Sequence, residues 1–388
     1  MPRPLRILVA GYAVGFPMGG QIWMMLSYVL GLTRMGHEVL FLEDTSDWSY
    51  PFDPVHGYGG TDSSFGRGVL DSMFTQFGLK GRWAYHSELE NQLYGISRGE
   101  LDRFCADADL LLNISAVNPL RDNYMRCRLK AVIDTDPVFT QVKIDQDPAT
   151  RAYYQAHDVC FTYGCNLVTR PTAVPLSGID WKPTVPPVLV DQWMPLDSPG
   201  RGYTTIGTWD AKGRDVVIEG QTFSWRKSVK YEALKDMPKR LPGVEMALAF
   251  SGMGEAEPRF VQAGWIVRDA LAISRNCWDY RDYIRNSRAE FTVAKDQNVK
   301  LKSGWFSERS ASYLSAGRPV ITEDTGFGSY LPTGEGLFAF ETMDQAIAHI
   351  ETIEADLDRH RRAARRIAED HFDSAKVLAQ MLRTLDLA

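Results

Sequence analysis

Six residues near the start, Arg6-Ile7-Leu8-Val9-Ala10-Gly11, constrain the fold more than any other stretch. Four consecutive apolar positions leave no polar face, so a strand made of them must be covered on both sides, as in a parallel sheet flanked by helices. A loop carrying Gly15, Gly19 and Gly20 follows, then an apolar helical stretch from Gln21 to about Met35. Gly36-His37-Glu38 stops that helix, and Val39-Leu40-Phe41-Leu42-Glu43 makes the next strand. This β–loop–α–β unit opens a Rossmann-like domain. Residues 110–114, 130–134 and 159–162 repeat the pattern, each after a helical stretch.

A chain of 388 residues is too long for one ordinary core, so two domains of similar size are expected. Prolines recur at 183, 186, 187, 195 and 199 and mark the connection between them. A second α/β set follows, with strands expected at 204–209, 245–250, 260–267, 289–293 and 319–322. From Met343 onward the pattern is helical, with basic pairs at Arg361-Arg362 and Arg365-Arg366. Residues 48–67, rich in Gly, Pro, Asp and Tyr, read as a long mobile loop able to cover a cleft.

Composition excludes several function classes. A formal net charge of −6 provides no basic footprint, so no nucleic-acid partner is expected. Five scattered cysteines without a CxxC pair argue against a disulfide framework and against a zinc site. The apolar run from Ile7 is broken by glycines and a proline, which suits neither a signal peptide nor a spanning helix. A cytoplasmic protein with at most a peripheral membrane contact is expected. Its oligomeric state is not legible.

The chemistry concentrates in Ser303-Gly304-Trp305-Phe306-Ser307-Glu308-Arg309, which runs into a helix closed by Ser315-Ala316-Gly317 and then the strand Pro319-Val320-Ile321. A helix start gathers unpaired N–H groups and the positive end of the helix dipole, so it is a seat for a phosphate or diphosphate. Arg309, in the first turn, offers a charge-assisted fork to the same anion.

Two Rossmann-like units with such a site in the second resemble the GT-B glycosyltransferases, and in particular a bacterial glycosyltransferase-like group. The residues that carry the resemblance are Ser287-Arg288-Ala289-Glu290-Phe291, Ala294-Lys295, Ser303 to Arg309 and Tyr313-Leu314-Ser315-Ala316-Gly317-Arg318-Pro319-Val320. Asp324-Thr325-Gly326-Phe327-Gly328 and Gly334-Glu335-Gly336-Leu337 complete it. The resemblance implies an α/β fold with two Rossmann-like domains facing a central cleft. Residues 1–185 would form the acceptor side, 186–365 the nucleotide-sugar donor side, and 366–388 a tail helix packing back on the first domain. It implies a nucleoside-diphosphate sugar as co-substrate, a small-molecule or glycan acceptor, and no cofactor or metal. Many GT-B enzymes carry a ribose-binding glutamate where this chain has Ser312, with Glu308 one turn earlier. Either Glu308 replaces that contact or Ser312 makes a weaker one.

Gly19 and Gly20 match the family's glycine loop after the first strand, where backbone must approach an anion without a Cβ in the way. GFPMGG is not a dinucleotide fingerprint, and Glu43 is a faint echo of a ribose-binding acid. The diphosphate candidates are therefore Gly19, Gly20, Lys295, Ser303, Gly304, Trp305, Phe306, Ser307 and Arg309. Ser251, Gly252, Val267, Arg268, Glu308 and Ser312 are candidates for the nucleoside. An acceptor hydroxyl needs a general base from the first domain. Asp134 and Asp136 end a buried strand where α/β sites assemble, and Asp136, preceding Pro137, is expected extended and aimed outward. A role for either as a cap of the helix near Val138 stays open. Asn113, Ser115, Asn118, Arg121 and Gln141 are the acceptor-side candidates, while His37 and His157 read as structural. An epimerase acting on a sugar nucleotide and a non-catalytic nucleotide- or glycan-binding protein are the alternatives. A dinucleotide oxidoreductase fits least.

Overall fold

The computed structural model describes residues 3–44, 46, 51–198, 200–210 and 215–387. In chain order the strands of the first half are β1 (Arg6–Ala10), β2 (Glu38–Asp44), β3 (Phe52–Asp53), β4 (Tyr58–Gly59), β5 (Trp83–Ser87), β6 (Gln92–Tyr94), β7 (Leu110–Ile114), β8 (Leu129–Asp134), β9 (Val159–Thr162) and β10 (Trp181–Pro183). Apart from the separate β3–β4 pair they form one sheet, ordered β10-β9-β8-β7-β1-β2-β5-β6 and parallel except at β5–β6. The second half contributes β11 (Gly202–Thr208), the hairpin β12 (Val216–Ile218) and β13 (Gln221–Phe223), β14 (Glu245–Ser251), β15 (Ile266–Arg268), β16 (Ala289–Thr292), β17 (Val320–Glu323) and β18 (Leu337–Phe340). Its sheet runs β15-β14-β11-β16-β17-β18, all parallel.

Each sheet reverses its winding beside its first strand. β1 lies between β2 and β7, and β11 lies between β14 and β16. At such a switch point the crossovers leave in opposite directions and open a crevice beyond the C-terminal strand ends. At the first of these points β1 is covered on both faces, as its unbroken apolar run requires: Ile7, Leu8 and Val9 are fully buried.

One apolar core runs through both domains and joins Trp23 and Trp193 to Tyr280, Phe306 and Phe372. The tail completes it. The Leu357–His371 helix ends at Phe372, Asp373 bridges to Val188 of the interdomain connection, and the Ser374–Thr384 helix packs on Gly19–Arg34. Gly31 permits that approach, because a Cβ there would stand 2.5 Å from Leu378. The chain therefore crosses back near Phe372, and position 365 lies inside a continuous helix.

Two expectations differ from the structure. Residues 260–267, read as a strand, divide into the Ala256–Gln262 helix and the short edge strand β15. Ala256, Phe260 and Ala263 are buried at helical spacing, and Gly264, with φ +102, stops the helix. Of the loop expected at 48–67, residues 48–50 lie outside the described residues. The rest holds the β3–β4 pair and the start of the Ser64–Gln76 helix. No helix among the described residues is long and apolar enough to cross a membrane.

Candidate active site

The loop that leads into the Glu308–Ser315 helix is built tightly. Ser303 is fully buried, donates to Asn298 at 2.8 Å and accepts the Trp305 N–H at 3.3 Å. Gly304 has φ +78, and a Cβ there would stand 2.7 Å from the Asn166 nitrogen, so only glycine fits. Its N–H is taken by the Thr325 carbonyl at 2.8 Å, and its carbonyl accepts the Tyr330 hydroxyl at 2.7 Å. Phe306 points into the core and stacks on Phe372. Ser307 caps the helix by accepting the Arg309 N–H at 3.2 Å. The N–H groups of Phe306, Ser307 and Glu308 have no acceptor among the described residues. A void of about 10 Å³ beside them is lined by Thr292, Ser307, Arg309 and Ser310. Three consecutive open donors at the positive end of a helix offer a seat to an anion.

Arg309 is placed differently from the sequence expectation. Its side chain lies beneath the seat, with only 11% of its surface exposed. The guanidinium donates to Glu290 at 2.6 Å, to the Ile206 carbonyl at 2.8 Å and to the Thr292 hydroxyl at 2.8 Å. Its fork is thus spent on β11 and β16, and its charge reaches the seat only as a field.

Two lysines belong to the same cluster of charges. Lys295 donates to Asp136 at 2.6 Å across the cleft, and its ammonium lies 3.2 Å from the centre of the Trp225 ring. Lys227, which the sequence reading overlooked, makes no ion pair among the described residues. Burial foremost, then the nearby charges of Arg309 and Lys295, lower its pKa to about 7.

Across the cleft, the segment after β8 presents the two aspartates unequally. Asp134 is almost fully buried. One of its oxygens accepts the Asp136 N–H, and the other accepts Gln141 at 2.8 Å and the Thr162 hydroxyl at 2.7 Å. Burial raises its carboxyl above the usual range. Asp134 therefore organises the loop from within, and Gln141, whose carbonyl accepts the Val138 N–H at 2.6 Å, is its internal partner rather than an acceptor ligand. Asp136 is open, with 37% of its side chain exposed. Neither aspartate side chain caps the Phe139–Gln146 helix. Between them and that helix, Val138 holds φ +73, a strained conformation for a β-branched residue. The Trp305 ring N–H donates to the Thr135 carbonyl at 3.3 Å, so this loop touches the anion seat directly.

Gly19 and Gly20 begin the Gly19–Arg34 helix, but they meet a side chain rather than open space. A Cβ on Gly19 would stand 2.5 Å from the Tyr280 Cβ, and one on Gly20 3.0 Å from its hydroxyl. Their smallness lets the first domain's helix close on Cys277–Arg285 of the second. The converging backbone donors lie earlier, at Ala13, Val14 and Gly15, and all three point at Glu43, at 2.5, 2.6 and 2.7 Å. Glu43 thus turns inward as an internal counter-anion, and burial pushes its carboxyl up to about 7 despite these donors. Because the folded value lies above the unfolded one, Glu43 stabilises the fold most at acid pH, and that contribution fades as pH rises through 7. Glu43→Gln offers one carbonyl oxygen in place of two carboxylate oxygens and strands at least one buried N–H. A loss of about 1–3 kcal/mol in urea unfolding is expected.

The remaining candidates fall into two groups. Asn113 donates to the Tyr153 hydroxyl at 2.7 Å, and Asn118 links the Asp44 N–H to the Gly11 carbonyl. Arg121 pairs with Asp44 at 2.5 Å and with Glu88, and Ser115 meets the Thr135 hydroxyl at 2.8 Å. These side chains are committed to joining strand ends, so the acceptor face they were expected to form is mostly framework. On the donor side, Ser312 turns back on the Glu308 carbonyl at 3.0 Å, while the Glu308 carboxylate has no ion-pair partner among the described residues. Ser251 ends β14 and Gly252 follows it, where a Cβ would meet nothing within 4 Å. Val267 and Arg268 lie on the edge strand β15, and Arg268 is exposed.

The β12–β13 hairpin spans the cleft. Val216, Ile218 and Phe223 pack against Val138, Val142 and Leu167 of the first domain. Trp225, just beyond it, packs edge-on against Phe139 and carries Lys295 on its face. The sequence reading passed over this hairpin, whose signal is Glu219-Gly220, a two-residue turn with both residues at positive φ. Lys227 follows it by four residues.

No protein-family model and no curated protein matches the sequence. Solved structures match over nearly the whole length. They include HepE of Anabaena in complex with UDP and glucose, at 11% identity and TM-score 0.58, covering 99% of this chain and 100% of that one. An alpha-glucosyltransferase in complex with UDP-glucose and DNA containing an abasic site matches at 13% identity and TM-score 0.58, covering 98% of both chains. Sucrose-phosphate synthase of Thermosynechococcus elongatus matches at 13% and 0.56, again over 98% of both.

Proposed function

We propose that this chain, whose fold is the two-domain GT-B architecture of these solved structures, is a glycosyltransferase that moves a sugar from a nucleoside diphosphate to an acceptor hydroxyl. The observation that carries this reading is the meeting of opposite groups at one point. The open N–H groups of residues 306–308, with Lys227 and Lys295, come from one domain, and the exposed carboxylate of Asp136 comes from the other. The neighbouring structures that hold UDP or UDP-glucose share this architecture and favour the same class of donor.

In this reading the helix-start donors and the two ammonium groups stabilise the negative charge that develops on the leaving diphosphate. They supply positive charge where a metal would otherwise be needed, so turnover is expected to persist in the presence of a chelator. Asp136 accepts the acceptor's proton. Lys295 pairs with that carboxylate, and a bound diphosphate competes for the lysine and releases it. Glu308 is the candidate contact to the donor's hydroxyl groups, since Ser312 is turned into its own helix. The acceptor is taken to be a small molecule or glycan, in keeping with the net charge of −6.

The test is release of nucleoside diphosphate from a panel of nucleotide sugars with EDTA present. Slow release with water as acceptor, accelerated by an acceptor alcohol, is expected for one donor. Conversion of the sugar nucleotide to an isomer without any acceptor would replace this reading with an epimerase.

Lys227 adds a pH signature. Its depressed pKa means that the free protein is largely uncharged there above pH 7, and a bound diphosphate raises that value. Binding therefore takes up a proton, and the affinity for an intact nucleotide sugar is expected to rise as pH falls from about 8.5 to about 6.5. The slope is at most about tenfold per pH unit. Calorimetry with UDP-glucose checks it, and Lys227→Ala is expected to flatten the profile.

A further inference from the structure

Behind the cleft, on the far side of the short Cys165–Thr169 helix, lies a cavity of about 730 Å³ that the proposed reaction does not use. That volume lies within the range of pockets that hold small organic ligands. Three parts of the chain build it: the end of the first domain with the connection that leaves it, the Ser329-Tyr330 turn of the second, and the returning tail. Its floor is apolar, formed by Phe161, Tyr330, Val377 and Met381.

Its rim has the opposite sign to the protein as a whole. Arg170, Lys182, Lys376 and Arg383 line it against a single carboxylate, Asp370, in a chain of net charge −6. Lys182 and Lys376 pair with Asp180 and Asp370 at 2.8 and 3.4 Å, but these pairs are exposed and worth little, so an incoming anion can replace them. Arg170 is exposed and has no ion-pair partner among the described residues. An apolar floor under a cationic rim fits one chemistry: an apolar body with an anionic head.

We propose that this hinge cavity binds a soluble amphipathic organic anion, a carboxylate or phosphate on an apolar body. Its occupant also reaches the anion seat. Tyr330 forms the cavity floor, and its hydroxyl holds the Gly304 carbonyl of the seat's loop at 2.7 Å. Ser329 beside it donates to Asn166 at 2.7 Å, which ties the same turn to the first domain. Occupancy is therefore coupled to diphosphate binding, and this second half rests on the function proposed above.

Anilinonaphthalene sulfonate, itself an apolar anion, is the probe. The full chain is expected to bind it with a fluorescence rise that decanoate reverses and decan-1-ol does not. Arg170→Glu, at an exposed position, is expected to weaken binding by about tenfold. Absence of probe binding, or an affinity indifferent to Arg170→Glu, overturns the site. With UDP present the probe affinity is expected to change by about fivefold or more, and Tyr330→Phe to remove that change. A UDP-insensitive probe site, in a protein that binds UDP, overturns the coupling alone. Failure to bind UDP at all counts against the proposed function and leaves the Arg170 comparison intact.

Discussion

Replacing Arg309 with alanine is expected to lower the stability of the protein by about 3–5 kcal/mol, more than any other single change in the site. The partner it leaves behind is the reason. Glu290 is completely buried on β16; one of its oxygens is held by Arg309, and the other has no hydrogen-bond partner among the described residues. Removing the guanidinium leaves that carboxylate uncompensated and frees the Ile206 carbonyl as well. Diphosphate affinity in the variant also falls, but as a consequence of a loosened β11–β16 edge. Urea unfolding distinguishes the two effects: a variant as stable as the wild type would show that Arg309 serves the ligand rather than the sheet. Arg309→Lys is expected to recover only part of the loss, since a single ammonium cannot reach three acceptors in a plane.

Asp136→Asn is expected to reduce glycosyl transfer by about 10²–10⁴-fold, the usual contribution of a general base. Donor affinity is expected to stay at or above the wild-type level, because the Asp136 carboxylate no longer competes with the diphosphate for Lys295. Single-turnover transfer combined with equilibrium donor binding measures both effects. Unchanged transfer would remove Asp136 from the base role. Asp134 would not inherit it, because both of its oxygens are engaged inside the fold.

The parts of the fold that were legible are those where one physical constraint acts alone. The runs at β1, β2, β7, β8 and β9 are apolar at successive positions because both faces are covered, and periodicity detects that directly. β10 escaped notice because three residues ending in Pro183 carry no pattern, and an edge strand tolerates the proline. β5 was hidden by His86 and Ser87, polar residues buried at its end.

In the site, the backbone was more legible than the side chains. The turn-cap-helix run from Ser303 announced the open helix start, since a helix start is a local property. Where Arg309 points is not local: Glu290 lies 19 residues earlier and outcompetes any surface role for the guanidinium. Gly19-Gly20 illustrates the same limit. Glycine signals a close approach, but only the tertiary structure reveals that the approaching group is Tyr280. Lys227 carried no motif at all. It became visible through its neighbours Arg309 and Lys295, which the fold brings beside it.

The central claim is that a nucleoside diphosphate sits at the Ser307 helix start, with Lys227 as one of its cations. Equilibrium titration of UDP, dTDP, GDP, ADP and NAD against the wild type and Lys227→Ala, without added metal, tests it most directly. Selective binding of one nucleoside diphosphate, weakened by at least about tenfold in the variant through loss of a charge-assisted contact, is the predicted result. A preference for NAD, or no diphosphate binding by the wild type, would contradict it.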